Sequence, residues 1–506
     1  MRIEVLTTFP VSQVWADEWD SLVARSAIED VFMTYQWTRA AAEFDAQAQP
    51  LIVCGYIRDE ATADGKERLV GLAPLALRQC RDIVRRRGTL ELLAGPWADY
   101  CDLIVEPAHQ AEFTERVAVL AAERLTERTD DCTTICLNNL PEASPTLRIF
   151  ARVLAAHGLR VDARQINIGP TLEIAGTDPA ELNELLEKKG VARKAKTLAK
   201  KGKLAFRIVR EAEEVRACLR HLARFHTVRY LLSGQPSIYD PDRPESLCRL
   251  LTLLAERLSP SGGICLPTLF FNDEPIALTL GFEYREALTL YAMTFDIGVT
   301  GTSPGEILVL EIARYCRAAG LKKLDFGAGN EGYKARFTNH QRRNFELVAR
   351  RNSVAAVATA MLAKNRARLK QHESLRQMMR RLREVVFLLQ LEAQRTSPFS
   401  AIISFLLARS RVLLTKPHSA ATITEHLSHH PLAPATDLIE LRTSELVETV
   451  MKYRHTLPAW EFQRAYQLLR EGHRCFISLE NERFGKIVSQ KSANDETKLS
   501  ASQSEA

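Results

Sequence analysis

No stretch of the 506-residue sequence reaches 18 uninterrupted apolar residues. The best approach, AIISFLLARSRVLL, is short and carries Arg409 and Arg411, so no transmembrane helix is predicted. The ten cysteines are scattered, without C-x-x-C pairs or histidine partners at zinc spacing. Most stand in apolar runs (Cys54, Cys136, Cys265, Cys316), as small core residues of a reducing compartment do. His429-His430 sits in a linker with no third ligand at metal spacing, so no metal is expected. The start, MRIEVLTTFPVSQVW, alternates like a strand and lacks the cationic end and apolar run of a secretory signal. A cytoplasmic protein is expected. Neither a G-x-S-x-G elbow nor a Walker pattern occurs, which removes most support for hydrolase and NTPase chemistry. Charge of one sign is also scarce: a formal +6 over a chain of this size points to neither nucleic acid nor membrane.

What is present is an ordinary soluble composition, 46% hydrophobic and 26% charged, in a chain long enough for about three domains of roughly 150 residues. Helical periodicity covers 14–25 and 35–44, and the apolar runs PLIVCGYIR and RLVGLAPLALR follow around a loop with Asp64-Gly65. A helix near 108–124, the strand-like TTICLNNL, a helix near 146–157 and the run LRVDARQINIG complete the first part. From about 169 to 351 the same order recurs. GGICLPTLFF and PIALTLGFEY flank Asn272-Asp273, EALTLYAMTF follows a tight turn at Tyr284-Arg285, and a helix to Gly320 leads into the parallel strand LKKLDF. The predicted class is α/β (α+β), with tandem mixed sheets flanked by helices and a helical C-terminal extension. Boundaries are set at 1–168, 169–352, a basic helical extension 353–416, a linker 417–437, a small α/β segment 438–490 and a disordered tail 491–506.

Three local features bear on chemistry. The stretch LDFGAGNEGYKARF satisfies G-x-G-x-x-G from Gly327 to Gly332, yet its third glycine opens a short cationic segment that no sheet-covering helix could follow. A dinucleotide loop is therefore rejected. The same loop gathers Asp325, Glu331, Tyr333, Lys334 and Arg336 at the end of a strand, where a substrate crevice is expected in a mixed sheet. The second feature is Ser303-Pro304-Gly305-Glu306, which reads as a capping box opening a helix after a strand: either an anion site or an ordinary capped helix. The third is a run of eight basic residues from 188 to 203 with no acid among them, either a solvated helix or a face for phosphates, anionic lipid or acidic glycan. Aromatic interleaving is absent, which argues against sequence-specific nucleic-acid binding. His226, on a helix with Arg229 and Tyr230, is as open to a structural role as to a functional one.

Together FHTVRYLLSGQPS, FDIGVTGTSPGEILVLEIARYCRAAG and LDFGAGNEGYKARFTN resemble the signature of cellulose-biosynthesis-type acetyltransferases of the GNAT superfamily, relatives of the Fem-type peptidoglycan aminoacyl transferases. The resemblance is strongest over 192–350 and weaker in WDSLVARSAIEDVFMTYQW, LVGLAPLAL and DYCDLIV. It implies two GNAT-like folds in tandem and acyl transfer from acetyl-CoA or another acyl-CoA to an amine or hydroxyl of a small-molecule or lipid-linked glycan, an envelope or exopolysaccharide precursor. A Fem-like aminoacyl-tRNA donor, or a non-catalytic glycan-binding scaffold, are the alternatives. The CoA pyrophosphate would map onto Ser303, Pro304, Gly305, Glu306 and Ile307, although the usual Q/R-x-x-G-x-G/A loop is missing. Glu331 is then the candidate base, Tyr333 the candidate acid, and Lys334 or Arg336 the candidate cation for an anionic acceptor, with His226 and Arg229 as further acceptor contacts. Asp325 is placed to orient Lys334. Alternatively, a water chain takes the proton and leaves Glu331 without a catalytic role. The basic helices at 188–203 and 363–383 add the expectation of peripheral contact with an anionic membrane at its inner face.

Overall fold

The computed structural model describes residues 1–58, 67–81, 86–126, 132–243, 246–259, 263–299, 301–351, 438–454, 457, 459–471, 473–480 and 484–491. Along the chain run β1 (Arg2–Leu6), α1 (Gln13–Arg25), α2 (Tyr35–Phe44), β2 (Ala48–Arg58), β3 (Glu67–Arg81), β4 (Arg86–Leu92), β5 (Ile104–Val105), α3 (Gln110–Thr126), β6 (Thr134–Pro141), α4 (Pro145–Ala156) and β7 (Arg160–Glu173). There follow α5 (Pro179–Leu186), α6 (Lys189–Ala199), β8 (Leu204–Val209), α7 (Ala212–Leu232), α8 (Cys248–Leu258), β9 (Ile264–Phe271), β10 (Glu274–Tyr284), β11 (Ala287–Phe295), α9 (Pro304–Ala318), β12 (Lys323–Asp325) and β13 (His340–Arg350). The chain divides into two compact units. The first comprises Met1–Leu222, Leu247–Thr294 and Thr302–Asn365, the second Ala223–Ser246, Phe295–Gly301 and Arg366–Ala506.

The predicted α/β class is observed, and the sheets expected for the two halves join into one. Strand order is β1-β2-β3-β4-β6-β13-β7-β12-β11-β10-β9-β8, with β5 on the side of β3. β13, late in the sequence, lies between β6 and β7, antiparallel to both, from Arg350 opposite Thr134 and Arg160 to His340 opposite Thr171. β7 runs through position 168 and pairs beyond it with β12, Lys323 opposite Glu173. β12 is parallel to β11, as its sequence position after a crossover helix predicts. Antiparallel β9 and β10 meet at Asn272-Asp273, whose φ values of 51° and 67° fit a type I′ hairpin turn. The next turn is centred on Arg285-Glu286 (φ 47° and 62°), one residue later than expected. Arg285 takes this costly left-handed conformation while its guanidinium reaches the Ile28 and Val23 carbonyls, the latter at 2.9 Å.

One aromatic core spans both halves. Trp37 of α2 meets Phe32 edge-on at 4.7 Å and Phe282 of β10 at 4.9 Å, and Tyr291 of β11 stands 5.4 Å away. Edge-to-face pairs of this kind add to the burial energy of each ring. Side-chain caps fix several helix starts: Asp178 accepts from Ala180 and Glu181 at α5, and Ser144 from Thr146 at α4.

In the second unit β14 (Leu438–Leu441), β15 (His473–Glu480) and β16 (Phe484–Lys491) form a three-stranded antiparallel sheet accompanied by α10 (Leu446–Tyr453) and α11 (Ala459–Arg470). The Asp64-Gly65 loop, the basic extension, the linker and residues 492–506 of the tail lie outside the described residues. Among the described residues no helix is long and apolar enough to cross a membrane, and no group of three or more His, Cys, Asp or Glu side chains is placed to hold a metal.

Candidate active site

The start of α9 departs from the predicted capping box. Ser303 sits at φ 51°, ψ 63°, and its side chain makes no bond to the first-turn amides. A serine cap reaches those amides from extended backbone, so the left-handed turn removes the option. Its carbonyl accepts from Glu306 and Ile307 N–H at 3.0 and 3.3 Å instead. The Ser303 hydroxyl and Glu306 Oε2 each accept from Lys194 Nζ of α6 at 2.9 Å. Arg336 donates to the other Glu306 oxygen. Burial alone would raise the Glu306 carboxyl, but the bonds from Lys194 and Arg336 outweigh it and hold the group below its ordinary range. Pro304 has no N–H, and Gly305 N–H has no acceptor among the described residues. Pro304, Gly305 and Ile307 are buried, so Ile307 belongs to the core through its side chain. A helix N-terminus bracketed by one lysine and one arginine therefore stands here, with an acidic side chain between them.

Arg336 ends the 3-10 turn Lys334–Arg336, which closes the glycine loop, so the loop and the helix start are neighbours. Within the loop, Lys334 is 5% exposed, and its ammonium bonds Glu331 Oε2 at 2.9 Å and approaches the Gly327 and Ala328 carbonyls at 3.4 and 3.5 Å. It staples the loop. Glu331 is exposed and Tyr333 half-buried at the head of the turn. Arg336 is exposed.

Asp325 does not orient Lys334, contrary to expectation. Its Oδ1 accepts from the Tyr100 hydroxyl at 2.7 Å and from Gly327 N–H at 2.8 Å, and its Oδ2 accepts from Arg342 at 3.1 Å. The Arg342 guanidinium lies 3.2 Å over the Tyr100 ring and 3.7 Å from Asp30. Burial pushes the Asp30 carboxyl up to about 6, against the pull of Arg342. Beside this group Asp99 is half-buried and accepts from Ala328 N–H; desolvation of its carboxyl pushes it up to about 7. Gly327 (φ 68°) fits only as glycine: a Cβ would lie 2.5 Å from Asp99 Oδ2 and 2.6 Å from the Leu290 carbonyl. Asp99, Tyr100, Arg342 and Lys194 were not singled out from the sequence. The only available signals were the paired acids of DYCD and the density of cations in HQRR and KKGVARKAK.

His226 and Arg229 belong to the second unit. His226 is buried, shares a hydrogen with Ser237 Oγ at 2.8 Å and stacks on Tyr230 at 4.1 Å. Burial, with a smaller push from Arg229, lowers it to about 4, so it is neutral at pH 7. Arg229 lies over the Phe295 ring at 4.9 Å.

Residues 169–335 match the family model described as an acetyltransferase (GNAT) domain. This segment contains both the α9 start and the glycine loop. No curated protein matches the chain. Among solved structures, FemX is 11% identical, with 67% of this chain and 96% of that one covered and a TM-score of 0.45. A tandem GNAT protein from the clavulanic acid biosynthesis pathway is 12% identical over 70% and 100% of the two chains, with a TM-score of 0.36. A GCN5-related N-acetyltransferase from Sphaerobacter thermophilus is 11% identical over 70% and 97%, with a TM-score of 0.30.

Proposed function

We propose that the chain transfers an acyl group from acetyl-CoA or another acyl-CoA to an amine or hydroxyl of a sugar or lipid-linked envelope precursor. The observation that carries this is the convergence of Lys194 and Arg336 on the first turn of α9, a turn that lies inside the segment matching the acetyltransferase family model. Two cations and one carboxylate leave that turn a net charge of +1, beside the Gly305 amide, which has no acceptor among the described residues. Charge of this sign at a helix start suits a diphosphate. CoA, when bound, supplies the thioester. Around it, Lys194 and Arg336 hold the diphosphate end, and Tyr333 at the head of the neighbouring turn is the donor assigned to the departing thiolate. Glu331 retains its carboxylate at the surface for a proton from the acceptor, tethered by Lys334.

One observation favours the non-catalytic alternative: Glu331 and Lys334, both assigned to chemistry, are bonded to each other. Calorimetric titration of the full chain with acetyl-CoA decides between binding and no binding. Heat is expected for the native protein and a roughly tenfold weaker affinity for the Lys194→Ala/Arg336→Ala pair, about 1.4 kcal/mol. Absence of heat from the native protein removes the proposal. Binding without acyl transfer to any sugar amine or lipid-linked sugar tested favours the scaffold.

A further inference from the structure

The basic run resolves into a one-sided charge stripe. α6 spans Lys189–Ala199, with Lys200 at its C-cap in helical conformation. Lys189, Arg193, Lys196 and Lys200 follow one another at spacings of four, three and four residues, which returns each to the same helix face within one turn. All four are exposed. Val191 and Leu198, the buried apolar residues of α6, lie on the opposite face, so the stripe points away from the core. At 1.5 Å per residue it extends about 16 Å.

None of the four forms an ion pair among the described residues, whereas their neighbours Lys194 and Lys203 are tied to Glu306 and Asp273. Like charges at these spacings repel one another along a helix, so an unneutralised stripe weakens the helix that carries it. An external layer of negative charge reverses the sign of that contribution.

We infer that this face of α6 docks on the anionic surface of a lipid bilayer. The four cations are exposed along one face of a helix, which suits a plane of headgroups more than a compact anion. No aromatic residue occurs between 188 and 203 to stack a nucleobase, so the observations favour lipid over RNA. No large apolar side chain is exposed on the stripe, so the attraction is electrostatic and confined to about one Debye length, close to 10 Å at 0.1 M salt. The docking face stands apart from the acyl-transfer proposal, and its test uses no thioester.

The experiment is flotation of the full chain with vesicles of about 30% phosphatidylglycerol in phosphatidylcholine, with pure phosphatidylcholine vesicles beside them. The native protein is expected to float with the anionic vesicles at about 0.05 M salt, to stay behind with the neutral ones, and to detach at about 0.5 M salt. Lys189→Gln/Arg193→Gln/Lys196→Gln/Lys200→Gln, all exposed positions, is expected to reduce partitioning at least about tenfold. Its circular dichroism and native urea midpoint are checked alongside. Lys203→Gln, outside the stripe, is expected to change little. Failure of the native protein to float, equal flotation of the quadruple variant, or equal binding to neutral vesicles overturns the inference. So does tighter binding to a uridine homopolymer than to the anionic vesicles, abolished by the same four substitutions, which assigns the stripe to RNA.

Discussion

Tyr100 donates its phenolic hydrogen to Oδ1 of Asp325 at 2.7 Å, although 225 positions separate them in the chain. The bond ties the first half of the sequence to the strand end from which the glycine loop departs. Asp325 is 1% exposed, so its carboxylate depends on the partners it has. Tyr100→Phe is expected to destabilise the protein by about 1–3 kcal/mol, because a buried acceptor loses a donor. Arg342→Ala leaves the same carboxylate without its cation and is expected to cost more, about 3–5 kcal/mol. Urea midpoints of the two variants check the order. A smaller loss for Arg342→Ala shows that Tyr100 and the Gly327 amide hold the charge without the cation.

Asp99 binds its proton more tightly folded than unfolded, since burial lifts its carboxyl from 3.8 to about 7. Between those values the folded chain carries the extra proton, so this residue's contribution to stability falls as pH rises through the window. Asp99→Asn, which keeps an acceptor for Ala328 N–H, removes that slope. Measured at pH 5 and pH 8, the stability of the variant relative to the native protein is expected to be higher at pH 8. An unchanged difference places the titration elsewhere.

At Gly327 a methyl group meets the Leu290 carbonyl, which is backbone and cannot swing aside. Gly327→Ala is expected to cost about 1–3 kcal/mol from the left-handed backbone alone. Proteolysis of the loop should accelerate as well. Resistance equal to that of the native chain shows that the loop finds another seat.

Glu306 shields the two cations at the α9 start. Glu306→Gln raises the local charge from +1 to +2 and is expected to tighten acetyl-CoA binding several-fold at low salt, with the gain shrinking as salt rises. Weaker binding identifies the carboxylate as a direct contact for the nucleotide.

Tyr333→Phe is expected to lower turnover while leaving acetyl-CoA affinity nearly unchanged, because a proton donor acts only in the reacting complex. Equal turnover in both proteins removes Tyr333 from the mechanism.

The sequence made local structure legible where periodicity and turn chemistry agree. Trp15 to Leu22 repeat at helical spacing and lie in α1, and Asn272-Asp273 supplies the two positive φ angles of its hairpin. The crowding of Glu331, Tyr333, Lys334 and Arg336 marked a loop that does touch the α9 start. Long-range pairing was not legible, since nothing local in HQRRNFELVAR says that it lies between β6 and β7. For the same reason Asp99 and Tyr100 escaped notice: their partners follow more than 200 residues later. The capping box failed because Ser-x-x-Glu specifies side chains and not the backbone angle of the serine.

The position of β13 has a consequence for synthesis. When the chain through Glu173 has left the ribosome, β6 and β7 have no strand between them, and the one that belongs there is still to be translated. Their facing edges must stay apart from each other and from other nascent chains until position 350 emerges. The amino-terminal half therefore completes its sheet only after the carboxy-terminal half has been made.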